Sequence, residues 1–408
     1  MAVAAESFRE MTLYAARMSS LAFDWGNRGE RNSVESGPES SVDDWLTVIN
    51  RHGIAAHLVT ASESIAGQLP DAFQVAIRSA GSASRVSGLQ VTAEVIRLIT
   101  TLERGGVPAV PLKGVVLAQQ LYGHFGRRHR GDIDVLIDAG NLQLADQMLA
   151  QLGYHRYEPT HWPTGAELAW WMRFRHHFTY VNWERGHYLE LHWKLQDDAG
   201  LVSLPTSVAA AASETVLVAN CRFRAFPLDF LYRYLLIHGS RSRWARLAWM
   251  VDALTCRTLL ANSNASPSSI GDSLFRHHLQ ALDAALITTA SRVFNGVSVN
   301  HVEESSKTKV KMLRDAYLRT MLAQEPVQLI GAERLKYLVA KNPQVSNVVE
   351  ELLGRTLDER RARRGLHRAT FRCVVCIVDC IETIRIWLAR CVATYAHARK
   401  HSGRHPGC

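Results

Sequence analysis

Two aspartates separated by one residue, Asp132 and Asp134, are the groups in this chain best suited to bind a cation. They open the apolar run 132–137, which reads as a β-strand, and side chains two residues apart on a strand point to the same face. Two carboxylates on one face repel each other, and a hard divalent cation such as Mg2+ removes that repulsion by binding both. We therefore predict a Mg2+ site here, with a solvated strand start as the alternative.

A second acidic position follows on a later strand. The segment 178–195, FTYVNWERGHYLELHWKL, alternates polar and apolar residues around a turn at Glu184–His187 and predicts a β-hairpin. Glu190 and His192 share one face of its second arm, and the apolar side chains share the other. The alternative for Glu190 is an exposed hairpin residue balanced by Lys194.

These residues require a small α/β unit to position them, with helices before and after it. Residues 107–112 predict a strand, Lys113-Gly114 a turn, 114–123 a helix, and about 141–152 another helix. The predicted fold class is α+β, with a small mixed sheet. Asp43 or Asp44 is the expected N-cap of the helix that follows the linker. We predict five regions: a helix and polar linker (1–42), an N-terminal helical region (43–106), the α/β core (107–225), a C-terminal helical domain (226–354) and a basic helical tail (355–408).

The composition is that of a globular protein. Hydrophobic residues make up 47% and charged residues 21% of 408 positions, which provides material for a core. The seven cysteines are unevenly spread, which argues against a disulfide framework. Cys373, Cys376 and Cys380 predict a small-residue core stripe on a helix, with a metal or redox site as the alternative. The sequence shows neither a long uncharged apolar segment nor a signal-peptide pattern, so we expect a cytoplasmic protein.

Positive charge is concentrated at one end of the chain. The formal net charge is +9, and the tail from Arg355 carries +8 of it, with twelve Lys/Arg and four Asp/Glu. The near-neutral remainder argues against a nucleic-acid binder that uses its whole surface. The tail predicts a solvated basic helix face, with contact to RNA, an anionic membrane surface or an acidic partner as alternatives.

The order of these features resembles the nucleotidyltransferase superfamily with the DNA polymerase β-like palm. More narrowly, it is similar to an uncharacterised bacterial nucleotidyltransferase family with the pattern LKG…DID…ELHW. The likeness covers about 45–260. The residues that carry it are Leu112-Lys113-Gly114, Leu121-Tyr122, Arg128, Asp132-Ile133-Asp134-Val135-Leu136 and Glu190-Leu191-His192-Trp193, followed in the helical part by His238, Trp244, Leu247, Trp249 and Asp252.

The resemblance implies a palm-type sheet and transfer of an NMP from an NTP such as ATP by a two-metal mechanism. Two Mg2+ ions, or Mn2+ in their place, would be held by Asp132, Asp134 and Glu190. The start of the helix at Gly114 would face the triphosphate. The other nucleotide-binding candidates are Lys113, Arg128, Arg130 and His192, and the alternative for Lys113 is a surface lysine at a strand end.

The resemblance leaves the acceptor open among a small molecule, a protein side chain and RNA. Two other classes of function compete with the enzyme. One is a non-catalytic regulatory or adaptor protein that keeps the fold and a bound nucleotide. The other is a nucleic-acid-binding protein that uses the tail, for which steep salt dependence would be the signature.

Overall fold

The structure is a computed structural model that describes residues 2–21, 37–65, 69–127, 132–195, 207–263, 273–294, 297, 307–325, 327 and a few positions between 333 and 340. Two compact units divide the chain: Met1–Trp162 with His176–Lys341, and Pro163–Arg175 with Asn342–Cys408. The predicted tail, its cysteine stripe, Arg128 and Arg130 lie outside the described residues.

A five-stranded mixed sheet positions the acidic residues. Its order is β1-β2-β5-β4-β3, and the only parallel pair among these described strands is β2 with β5. The mixed sheet and the β4–β5 hairpin were predicted. The strands are β1 (Ala109–Pro111), β2 (Asp132–Ile137), β3 (His155–Glu158), β4 (His177–Asn182) and β5 (His187–His192).

Two elements of β-structure were not predicted. Strand β3 is an edge strand of sequence HRYE whose residues are mostly exposed, so it lacks the alternation that marks a half-buried strand. Strands β6 (Glu214–Val218) and β7 (Cys221–Ala225) form a separate antiparallel pair. Their turn uses Ala219 and Asn220 with positive φ, which is uncommon for an alanine and gives no clear turn signal in the sequence.

Helices precede, interrupt and follow the sheet. They are α1 (Ala2–Ser20), α2 (Val42–His52), α3 (Ala55–Ile65), α4 (Asp71–Arg104), α5 (Gly114–Tyr122), α6 (Leu142–Gln151), α7 (Gly165–Phe174), α8 (Val208–Ala211), α9 (Leu228–Arg241), α10 (Leu247–Asn262), α11 (Ser273–Val293) and α12 (Lys307–Met321). Of these helices, none combines the length and apolar character that crossing a bilayer requires.

The predicted N-cap of α2 was wrong. Ser41 is the N-cap, and its hydroxyl accepts a hydrogen bond from the Asp44 backbone N–H. In return, the Asp44 carboxylate accepts a hydrogen bond from the Ser41 backbone N–H, and the two bonds make a capping box. Asp43 and Asp44 lie instead in the first turn of α2, where their negative charges are stabilised by the positive end of the helix dipole.

Helices that precede the sheet in the sequence and helices that follow it share one hydrophobic core within the first unit. Trp45 of α2 and Phe73 of α4 pack with ring centroids 4.3 Å apart, and the same buried cluster continues into α9–α12. His52 at the end of α2 lies within 3.4 Å of both Thr12 Oγ1 and the Leu247 backbone N. Helices far apart in sequence therefore form one support beside β1, β2 and α5.

In the second unit, the described residues are those of α7 and its flanks. Trp170 and Trp171 are both buried, and their rings meet edge to face with centroids 5.6 Å apart. The Arg175 guanidinium lies 5.7 Å from each ring centroid, within the range of a cation–π contact.

Candidate active site

The parallel pairing of β2 with β5 places two carboxylates directly opposite each other. In the register of the two strands, Asp134 is the partner of Glu190, and Asp132 is the partner of Tyr188. Neighbouring strands lie about 4.8 Å apart, so side chains on the same face of a registered pair are within reach of one ligand. Ile133 and Val135 point to the other face and are buried there.

Three side chains converge on this face. The ligand atoms of Asp134, Glu190 and His192 all lie within 4.8 Å of one another. His192 Nε2 is 3.3 Å from Asp134 Oδ1 and 3.3 Å from Glu190 Oε2. Carboxylate oxygens suit Mg2+ or Mn2+, so the donor set fits the class of ion that the sequence predicted.

Asp132 lies on the same face but at its open end. Its side chain is exposed, and it is outside the group of ligand atoms that converge within 4.8 Å among the described residues. Partial desolvation by its neighbours raises the pKa of Asp132 although its side chain reaches solvent, and the charges of Asp134 and Glu190 raise it further. The three carboxylates therefore act on one another electrostatically, although only Asp134 and Glu190 belong to the converging group.

Lys113 and Gly114 join the site through β1. The Leu112 backbone N–H donates to the Asp134 carbonyl at 3.0 Å, which ties the strand end to β2. Lys113 Nζ then donates to Asp134 Oδ1 at 3.2 Å. Gly114 has φ +68°, and no atom lies within 4 Å of the Cβ that another residue would add there. Glycine is thus favoured by the backbone conformation, and the space beside the start of α5 is open.

Asp134 is the most strongly stabilised anion of the group. Burial would raise the pKa of Asp134, but the positive charge of Lys113 and the contact with His192 hold it well below its usual range. Burial alone would lower the pKa of Lys113, and Asp134 raises it above the ordinary lysine value. In the same way, Asp134 and Glu190 outweigh burial and raise the pKa of His192.

Two histidines that sequence reasoning missed, His176 and His177, lie beside His192 and Glu190. His177 pairs with His192 across the β4–β5 hairpin, and His177 Nε2 is 3.8 Å from Glu190 Oε1. His176, His177 and His192 offer ring nitrogens within 4.8 Å of one another, a donor set that suits softer ions such as Zn2+. The predicted turn at Glu184–His187 lies one residue beyond the observed turn at 183–186, and only the observed turn pairs His177 with His192.

The helical part of the predicted pattern reaches the site through α5. Asp252 of α10 is fully buried and accepts a hydrogen bond from Tyr122 Oη at 2.7 Å. His238 packs edge to face on Trp249, with ring centroids 5.3 Å apart. The Tyr122–Asp252 hydrogen bond joins α5 to α10 and so supports the helix that begins at Gly114.

Comparison with known families identifies the class of protein. A model of the uncharacterised nucleotidyltransferase family matches residues 38–267, more than half of the chain. The chain therefore belongs to this nucleotidyltransferase family. No curated protein and no solved structure matches it.

Proposed function

We propose that this protein is a Mg2+-dependent nucleotidyltransferase that transfers an NMP from an NTP to an acceptor by a two-metal mechanism. The observation that carries the proposal is the register of β2 and β5, which sets Asp134 opposite Glu190 with Asp132 two residues earlier on the same face. Membership of the nucleotidyltransferase family supports a nucleotide as the substrate.

The proposed metal ligands are Asp132, Asp134 and Glu190. When bound, Mg2+ supplies the positive charge that stabilises the attacking and leaving oxygens of a phosphoryl group. Asp134 suits a central role because it stays ionised, whereas Asp132 with its raised pKa gains most from a neighbouring cation. His192 contacts both Asp134 and Glu190, so we assign it the orientation of those carboxylates.

The nucleotide phosphates are proposed to lie beside Lys113 and Gly114. The start of α5 presents backbone N–H groups next to open space, and helix N-termini favour phosphate. Lys113 is the N-cap of α5, and its ammonium group lies 3.2 Å from Asp134 Oδ1. Its positive charge can therefore offset the negative charge of both the phosphate and the carboxylate. Arg128 and Arg130 remain predicted phosphate contacts. The acceptor, whether a small molecule, a protein side chain or RNA, stays open.

The test is calorimetric titration with Mg-ATP and Mg-GTP, together with pyrophosphate release in the presence of a cell extract. The wild type is compared with the double variant Asp132→Asn/Asp134→Asn. A matched control is Glu184→Gln, which removes an exposed carboxylate from the turn of the same hairpin. We expect the wild type and the control to bind nucleotide and release pyrophosphate, and the double variant to do neither at a measurable rate.

Two results would count against the proposal. Normal turnover by the double variant would show that the aspartates are not the metal ligands. Nucleotide binding without pyrophosphate release under any of these conditions would favour the non-catalytic regulatory protein that the sequence also allowed. Mass spectrometry of the extract after incubation with labelled NTPs would then identify the acceptor if transfer occurs.

A further inference from the structure

We propose that a cavity at the junction of α2, α10 and α12 is a binding site for a small phosphate-bearing molecule. The cavity measures about 400 Å³ and is lined by Arg51, Arg243 and Arg246, with Ser242, Thr320 and Val327. None of these residues belongs to the carboxylate site, so the inference does not rest on the proposed transfer reaction. The volume lies within the range of small-molecule pockets.

The charge of the lining selects for an anion. Three arginines line the cavity, and none of its described lining residues is acidic. Glu325, whose side chain is exposed, offsets part of the lowering of the Arg51 pKa that burial causes. The neighbouring His52 is affected by the same arginines. Burial is the main cause that lowers the pKa of His52, and the charges of Arg51 and Arg246 lower it further, to about 3. Guanidinium groups bind phosphate through paired N–H donors, which a lone ammonium cannot match.

One residue of the cavity lining carries an unsatisfied hydroxyl. Thr320 is only 4% exposed, and its Oγ1 has no hydrogen-bond partner although it lines the cavity. Arg51 Nε is likewise buried without a hydrogen-bond partner. Buried polar atoms in folded proteins are nearly always paired with protein, water or ligand, so the lining of this cavity carries two polar atoms that still require a partner.

The cavity is also held in shape. The loop between α9 and α10 carries Arg243 and Trp244 with φ +51° and +49°, a conformation that non-glycine residues seldom adopt. The Trp244 ring is fully buried and packs onto Gly239, where an added Cβ would come within 2.2 Å of it. This packing fixes the loop residues that line the cavity. Strained backbone of this kind is concentrated at binding sites.

The start of α10 adds a further attraction for anions. Arg246 is the N-cap of this 16-residue helix, and Ala245 beside it lines the cavity. The positive end of the helix dipole therefore points toward the same space as the arginines. The Arg246 guanidinium stacks 5.5 Å from the Trp249 ring centroid, which restrains its position before any ligand arrives.

The experiment is calorimetric titration of the full chain with inorganic pyrophosphate in EDTA, so that no divalent ion assists binding at the carboxylates. The variants are Arg51→Gln, Arg246→Gln and Thr320→Val. The charge-matched control is Arg78→Gln, an exposed position on α4, and Lys113→Ala reports binding at the candidate active site. Thermal unfolding of each variant checks that it is folded.

We expect each cavity arginine variant to weaken pyrophosphate binding about tenfold or more, the usual effect of losing a charged hydrogen bond. Thr320→Val keeps the shape of the side chain and is expected to weaken binding about threefold without loss of stability. Arg78→Gln is expected to bind as the wild type does, and Lys113→Ala is expected to keep the part of the binding that depends on the cavity arginines.

Three results would overturn the proposal. They are no binding by the wild type, binding that is lost in Lys113→Ala but kept in the arginine variants, and unchanged binding in all three cavity variants. A parallel arm with vesicles containing phosphatidic acid separates the sources of phosphate. Arginine-dependent binding to these vesicles without binding of soluble pyrophosphate would assign the cavity to a lipid headgroup and overturn the small-molecule assignment.

Discussion

Two buried carboxylates in this protein have opposite surroundings. Glu94 on α4 is 2% exposed at its side chain and accepts hydrogen bonds from Arg97 at 2.5 and 3.0 Å and from Tyr154 Oη at 2.7 Å. Arg185 adds a second guanidinium at 3.6 Å. Asp134 on β2 is nearly as buried, at 7%, but its neighbours include two further carboxylates.

The difference lies in the balance of charge. Around Glu94 two arginines surround one carboxylate, and both carboxylate oxygens are satisfied. On the β2–β5 face, Asp132, Asp134 and Glu190 share Lys113 and His192, and the pKa of Asp132 is raised by burial and by the other two carboxylates. A closed, balanced network stabilises the fold, whereas an excess of one sign favours an ion from solution.

The largest effect is expected for Asp134→Asn. We expect the rate of pyrophosphate release to fall roughly a thousandfold or more, because charge stabilisation by a metal is worth several kcal/mol in the transition state. Removing one of three like charges offsets the lost bond to Lys113, so the free energy of unfolding should change by about 1 kcal/mol or less. Steady-state kinetics and urea unfolding measure the two quantities. A variant that loses stability but keeps the wild-type rate while folded would make Asp134 structural, like Glu94.

Next in size is Glu94→Gln. We expect the free energy of unfolding to fall by about 3 kcal/mol, because Arg97 and Arg185 keep their charges and lose their anion. Nucleotide turnover, measured where the variant is still folded, should remain close to that of the wild type. Glu184→Gln serves again as the control and should change stability by about 0.5 kcal/mol or less. The comparison fails if Glu94→Gln is as stable as this control.

Addition of Mg2+ should stabilise the fold through the Asp134 region and not through the Glu94 region, and this effect is smaller. At tenfold excess over its dissociation constant, a ligand that binds only the folded state adds about 1.4 kcal/mol of stability. We expect this gain in the wild type and in Glu94→Gln, and its absence in Asp134→Asn, by thermal or urea unfolding. Equal stabilisation of all three proteins would place the ion elsewhere.

The smallest effect concerns pH. Burial would raise the pKa of Glu94, but its bonds to Arg97 and Tyr154 lower it below the unfolded value of 4.5. A lowered folded pKa contributes stability that is present above the unfolded pKa and lost as the pH falls through the folded value. The stability difference between the wild type and Glu94→Gln should therefore be full above pH 4.5 and shrink below it. A difference that is constant through that range would show that the network does not depend on ionised Glu94.

Part of the site could be predicted because local spacing controls it. The two-residue period of a strand places Asp132 with Asp134, and Glu190 with His192, before any tertiary contact is known. The register of a hairpin follows from its turn, and the turn was predicted one residue too late, so the approach of His177 to His192 was missed. Strand β3 and the β6–β7 pair were missed because their exposed, irregular patterns lack a clear period.

Other parts depend on contacts between distant segments. Nothing local pairs β2 with β5, because a parallel pair leaves its register to the packing of the intervening chain. The phosphate-binding cavity likewise draws Arg51, Arg246 and Thr320 from three separate regions of the sequence. In the sequence these residues are far apart, and only the fold brings them to one cavity with a positively charged lining.

By itself, the sequence determined which side chains share a face, that Gly114 marks a turn between strand and helix, and that an acidic strand recurs in the hairpin. Only the tertiary structure decided that Asp134 meets Glu190, and that Arg185 and Tyr154 join the local Glu94–Arg97 pair. The physical reason is range: backbone periodicity acts over a few residues, whereas burial and the balance of charge depend on segments that folding brings together.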